Sequence, residues 1–337
     1  MVIMTTALIS GCASRMYAPD CGVVNVNSSV IRHTPEFEHL RIYKQELIWA
    51  NPDSRTFATL MQHETYFALS TYDVDARFVK SEGVPAFKSN YTIDEDYALS
   101  PNGRKLVYFT EGTTNIYWFD IAAGQEYLLW EGIAENSRCV YLRWLSDTKV
   151  LAVVNTVLPY KSFAPNNLTI IDVPGGARRG IDHPFHAGSA VVSPSLFAAV
   201  CYTREGTRTS CVLSIFDHHS ETLRTNLLST SCIDLPRFSP DGSALAFVEG
   251  NEIKVWRSTD GTTRTVRIFP DGYTFRQLIF GTGIIGYVGG AERKLRYPLV
   301  ILDAHSGNVI RSIEGEFCGP MLMVSDTNMF ACQIGYL

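Results

Sequence analysis

An all-β chain built as a β-propeller is the fold class that this sequence predicts. Three observations lead to it: a strand-favouring composition, a turn motif that recurs along the chain, and a second marker, a strand ending in Asp, that recurs in step with the first. Of 337 residues, 46% are hydrophobic and 12% aromatic, with 16 Tyr and 18 Phe. Aromatic and β-branched side chains suit a pleated, half-buried surface better than a helix.

The turn marker falls at Asn51 (NPDS), Ser100 (SPNG), Ser146 (SDTK), Ser193 (SPSL), Ser239 (SPDG), Phe280 (followed by GTGI) and Ser325 (SDTN), in steps of 41 to 49 residues. Each follows one short apolar strand and precedes another. Pro presets φ, Asp and Asn cap the turn through their side chains, and Gly accepts positive φ. The second marker is the strand end at Asp73, Asp120, Asp172, Asp217 and Asp303, with Arg257 in that place in KVWRSTDG. A turn such as AAGQ, VPGG, STDG or AHSG follows, and then another strand. Each unit therefore reads A strand, marker turn, B strand, variable loop, C strand ending near Asp, turn, D strand.

Four antiparallel strands repeated at this period leave apolar faces that radial packing of neighbouring units covers, which is the propeller solution. Six full units run from about Glu46 to Glu314. After them GPMLMV and NMFACQI supply two more strands, and residues 22–43 contain GVVNVNSSVI and FEHLRIY. The expectation is a seventh blade, with A and B from the C-terminal end and C and D from the N-terminal end. That closes the ring and removes an exposed edge. Six blades with a capped end is the alternative. In this reading residues 1–21 are signal and tether, and residues 22–337 form one domain.

The stretches SPNGRKLVYF, SPDGSALAFV and EIKVWRSTDG resemble TolB-like and WD-type propeller repeats. The N-terminus, MVIMTTALISGCAS, resembles the lipobox of bacterial lipoproteins at Ile9-Ser10-Gly11-Cys12. That resemblance implies cleavage before Cys12 and lipid on its thiol. Ala13 and Ser14 follow, with no Asp directly after the Cys, which in that family implies export to the outer membrane and a periplasm-facing protein. The apolar stretch is short for a signal peptide and has no Lys or Arg before it.

Composition limits the partners. The formal net charge is −5 and the basic residues are scattered, so there is no electrostatic footprint for nucleic acid. No run of 18 apolar residues occurs, so no helix of this chain spans a membrane. No G-x-S-x-G elbow marks a hydrolase, and the spacing of SPDG does not fit the S-x-D-x-G-x-x-W box of sialidases. No cofactor is expected.

The expected role is a non-catalytic, lipid-anchored scaffold that binds another envelope protein through the loop-bearing face. The long B–C loops, 155–167 and 289–298, carry Tyr160, Lys161 and Phe163 in one and Arg293, Lys294, Arg296 and Tyr297 in the other. Aromatic and Arg side chains on loops have the character of interface anchors. Arg143, Arg237 and Arg276 fall in A strands, where they line the channel and hold an anionic group, or else pair with Asp96 or Asp234. The competing expectation is a polysaccharide-acting, lyase-like propeller with a metal at the channel mouth, for which His183 and His186 are the candidate ligands. His218 and His219 read as solvated turn residues. Among eight cysteines, Cys201 with Cys211 and Cys318 with Cys332 are the candidate disulfides, Cys139 and Cys232 read as buried thiols, and Cys21 is unassigned.

Overall fold

The computed structural model describes residues 19–25, 31–33, 45–51, 56–62, 66–73, 78–85, 93–110, 115–131, 137–156, 168–183, 186–205, 208–229, 231–291, 297–315, 317, 321–323 and 328–334. The first full blade holds β3 (Gln45–Asn51), β4 (Thr56–Gln62), β5 (Tyr66–Asp73) and β6 (Phe78–Pro85). The second holds β7 (Ile93–Leu99), β8 (Lys105–Thr110), β9 (Asn115–Asp120) and β10 (Gln125–Trp130). The third holds β11 (Ser137–Ser146), β12 (Lys149–Thr156), β13 (Leu168–Asp172) and β14 (Arg178–Gly180). The fourth holds β15 (His186–Val192), β16 (Leu196–Glu205), β17 (Arg208–Asp217) and β18 (Leu223–Ser229). The fifth holds β19 (Ile233–Phe238), β20 (Ala244–Glu249), β21 (Glu252–Arg257) and β22 (Thr263–Ile268). The sixth holds β23 (Tyr273–Phe280), β24 (Ile284–Ala291), β25 (Leu299–Asp303) and β26 (Val309–Ile313). A further sheet joins β27 (Leu322–Met323) and β28 (Asn328–Ile334) to β1 (Pro19–Asn25) and β2 (Ile31–His33).

Among the described residues the strands form seven four-stranded antiparallel sheets, with each full blade ordered as a simple meander. Innermost strands contact one another in the cycle β3, β7, β11, β15, β19, β23, β27 and back to β3. The terminal sheet starts at Pro19, so Pro19, Asp20 and Cys21 are strand rather than tether. Expected strand residues 37–43 lie outside the described residues.

Among the residues whose burial is described, burial is greatest in the B strands and lowest in the D strands. The B strands are apolar on both faces: β20 reads ALAFVE, and its four central residues are buried. The C strands range from partial alternation, as in NIYWFD of β9, to continuous burial, as in LVILD of β25. The D strands are mostly exposed, as in TRTVRI of β22. Continuous apolar runs belong to strands covered on both faces. Core clusters lie between neighbouring blades rather than within one. Val107 and Trp118 of the second pack with Leu142, Trp144 and Val150 of the third. The Trp144 indole also donates to the Ala98 carbonyl at 2.8 Å, tying β11 to β7.

The two markers have visible mechanisms. In the fifth blade the Ser239 hydroxyl donates to Asp241 Oδ1 at 2.6 Å and accepts from Ala244 N at 3.0 Å. Gly242 closes the turn with φ of 71°. At the C–D turns Asp217 Oδ1 accepts from the backbone N of His219 and Ser220, and Asp303 Oδ1 from those of His305 and Ser306. These bonds, the Ser backbone bond first in each case, hold both carboxyls below the ordinary value of 3.8. The strand ends fall at Asp73, Asp120, Asp172, Asp217, Arg257 and Asp303.

Candidate functional site

The inner strands of the six full blades each carry a register shift near the start of the strand, a bulge that re-aims the side chains beside it. In β11 the shift lies between Cys139 and Tyr141, two residues before Arg143. In β19 it lies between Asp234 and Arg237 and takes in Leu235 and Pro236. Leu235 adopts φ of 51°, a left-handed conformation that a branched side chain resists. In β23 the shift spans Arg276 itself.

Arg143 and Arg237 are both half-buried on inner strands, and each donates through Nη1 to its own neighbour's carbonyl: Leu142 O and Pro236 O, both at 2.7 Å. Arg143 stacks over the Tyr141 ring, 5.3 Å from its centroid. Arg237 loses basicity first through desolvation and next through the charge of Arg143, with Tyr141 and Asp234 as weaker opposing influences. Among the described residues neither arginine forms an ion pair. The expected ion pair with Asp234 is thus not made: its carboxylate accepts the Leu235 N at 2.8 Å and acts on Arg237 only as a weaker charge, and the Asp96 side chain lies outside the described residues. The strand between them, β15, runs from His186 into small residues, Ala187, Gly188, Ser189 and Ala190.

Arg276 is exposed and lies over the Tyr297 ring at 5.1 Å. A channel candidate and a loop candidate are therefore neighbours. Tyr141 is the partner that sequence reasoning missed. Its signal was present, two residues before Arg143 on one strand, where side chains share a face. Tyr160, Lys161, Phe163, Arg293, Lys294, Arg296, Cys12 and Cys318 lie outside the described residues.

The metal expectation at His183 is corrected. Its ring is 1% exposed, Nε2 bonds Ser214 Oγ at 2.8 Å, and Nδ1 faces Cys201 Sγ at 3.9 Å. Both ring nitrogens are engaged inside the core, against Phe216. His186 is in β15, and among the described residues no group of three His, Cys, Asp or Glu is placed to hold a metal. His218 is also a correction: it is buried and bonds the Pro194 carbonyl at 3.0 Å, and burial lowers its pKa.

The pairing of Cys201 with Cys211 is corrected as well. The register sets Cys201 against Val212 and Tyr202 against Cys211. That offset of one residue puts the thiols on opposite faces. Cys201 joins the core between the third and fourth blades, and Cys211 the core between the fourth and fifth. Both are free, and burial pushes them up to about 12 and about 11. Cys232 is exposed, not buried.

These features define a β-propeller with arginines on its inner strands. No protein-family model matches the sequence, and no curated protein matches it. Solved structures do match. An oligogalacturonate lyase in complex with manganese aligns with a TM-score of 0.58 at 14% identity, covering 86% of this chain and 88% of that one. The β-propeller domain of Cps50 (Swd1) from Myceliophteria thermophila gives 0.54 at 11% identity over 87% of this chain and 100% of that one. A putative TolB from Agrobacterium tumefaciens gives 0.49 at 14% identity, over 95% and 99%. At these identities the first two likenesses establish the fold alone.

Proposed function

We propose that the chain is a non-catalytic binding platform of the cell envelope, anchored by lipid on Cys12, that captures another protein through the channel mouth and the loops around it. The observation that carries this reading is the pair Arg143 and Arg237, close enough to oppose each other's charge and, among the described residues, in ion-pair contact with no carboxylate. Two unneutralised guanidiniums favour an external anion, and a guanidinium fork suits a carboxylate. Arginine stays protonated, so it binds and orients rather than transfers protons. The partner therefore presents an acidic segment. Tyr141 and Tyr297 supply flat aromatic surface beside the cations. Tyr160, Lys161, Phe163, Arg293, Lys294 and Arg296 extend the same contact on the long loops.

The test is gentle crosslinking and affinity capture from detergent-solubilised native membranes. The wild type is compared with an Arg143→Gln/Arg237→Gln variant and with one whose loops 155–167 and 289–298 are cut to short turns. A protein captured by the wild type and lost with both variants supports the reading. Metal-dependent cleavage of an acidic polysaccharide, abolished by His186→Ala, would overturn it in favour of a lyase.

A further inference from the structure

The seam of the terminal sheet is where the two ends of the chain meet. The pairing of β1 with β28 runs without a shift from Pro19 opposite Ile334 to Asn25 opposite Asn328. In that register Cys21 stands directly opposite Cys332. Directly opposed residues of antiparallel strands have Cα atoms about 4.5 to 5.5 Å apart, inside the span of about 4.4 to 6.8 Å that a disulfide bridges. In the other registers that pass through a cysteine, the residue opposite is not one: Cys139 faces Val154, Cys201 faces Val212, and Cys211 faces Tyr202 and Ser229. The position also differs mechanically from every other sheet. Each full blade is one continuous run of chain, whereas hydrogen bonds alone join β1 to β28.

We propose that Cys21 and Cys332 form a disulfide that covalently closes the ring. The bond forms by thiol–disulfide exchange with a glutathione-type disulfide. The thiolate of one cysteine attacks that disulfide and expels one thiol. The second cysteine attacks the resulting mixed disulfide and expels the other. Two cysteine thiols are oxidised to one disulfide, one external disulfide is reduced to two thiols, and the two protons end on those thiols. The loop so closed contains nearly the whole chain, the arrangement in which a cross-link restricts the unfolded state most. The pairing replaces that of Cys332 with Cys318, and it does not depend on the binding role.

The experiment is proteolytic mapping of the full purified chain after equilibration in oxidised and reduced glutathione, with free thiols alkylated in denaturant so that buried Cys201 and Cys211 react too. The expected result is a linked peptide joining the segments that contain Cys21 and Cys332, lost on reduction. The thermal midpoint then falls by roughly 5 °C on reduction. Cys21→Ser and Cys332→Ser give that lower midpoint with no further response to reductant. Full alkylation of both cysteines under oxidising conditions, or a linked peptide joining Cys332 to Cys318, overturns the proposal.

Discussion

Two C–D turns occupy the same place in the repeat and are built oppositely. In the sixth blade, four residues after Asp303, Gly307 takes φ of 72°, and a Cβ there would run into the Val266 carbonyl of the fifth blade. Gly124, Gly176 and Gly261 hold the same place after Asp120, Asp172 and Arg257, all left-handed. In the fourth blade the place falls to Glu221, also left-handed at 57°. Its carboxylate is almost fully buried and pairs with Lys149 at 2.8 Å and with Arg179, both of the third blade. One turn uses glycine because there is no room, while the other tolerates strain because the side chain braces the preceding blade. The lesson is that a break in the repeat marks a job between blades, so each break should be read for what it touches.

That comparison can be broken by exchange. Gly307→Ala combines backbone strain with a clash against main chain, and it should cost about 3 kcal/mol in chemical denaturation. Glu221→Gln keeps the strain and removes the charge that Lys149 and Arg179 share, for a loss of about 1–2 kcal/mol. Glu221→Gly also loses the ion pairs but relieves the left-handed backbone. It should be about 1 kcal/mol more stable than the Gln variant, measured by the same denaturation. Equal stabilities for the two variants would remove strain from the account.

Acid sharpens the contrast further. Asp217, Asp241, Asp260 and Asp303 all titrate below the ordinary 3.8, held down by turn hydrogen bonds. A depressed carboxyl contributes its stability above the unfolded value and loses it as pH falls through the folded one. These carboxyls should therefore cost stability only below about pH 4, whereas His218, held below 6.5 by burial, already costs some as pH falls below about 6.5. Asp303→Ala should flatten the decline below about pH 4 in a thermal-melt series.

Much of this fold was legible in the sequence. Pro, Asp, Asn and Gly leave a local signature because a tight turn admits few residues, so the strand ends at Asp120, Asp172, Asp217 and Asp303 could be read directly. The site was less legible, since its content depends on register and on neighbouring blades. Cys201 and Cys211 flank a short turn, but which face each occupies turns on a single residue of offset. His183 reads like a ligand until Ser214 and Cys201, distant in sequence, close around it. Glu221 breaks a glycine pattern that shows only when the five turns are aligned. Arg143 and Arg237 were visible as inner-strand cations, whereas the lack of an ion pair to either among the described residues is a fact of packing.

The smallest effect on the apo protein bears on the largest claim. Arg237→Gln removes a charge that is desolvated and opposed by Arg143, so it should change stability by no more than about 0.5 kcal/mol, in the stabilising direction. The decisive measurement is thermal melting of the wild type and this variant across a citrate titration at fixed ionic strength. The account predicts a midpoint that climbs with citrate for the wild type and stays flat for Arg237→Gln. Equal climbs in both proteins, or none in either, would contradict the anion-capturing channel on which the proposed function rests.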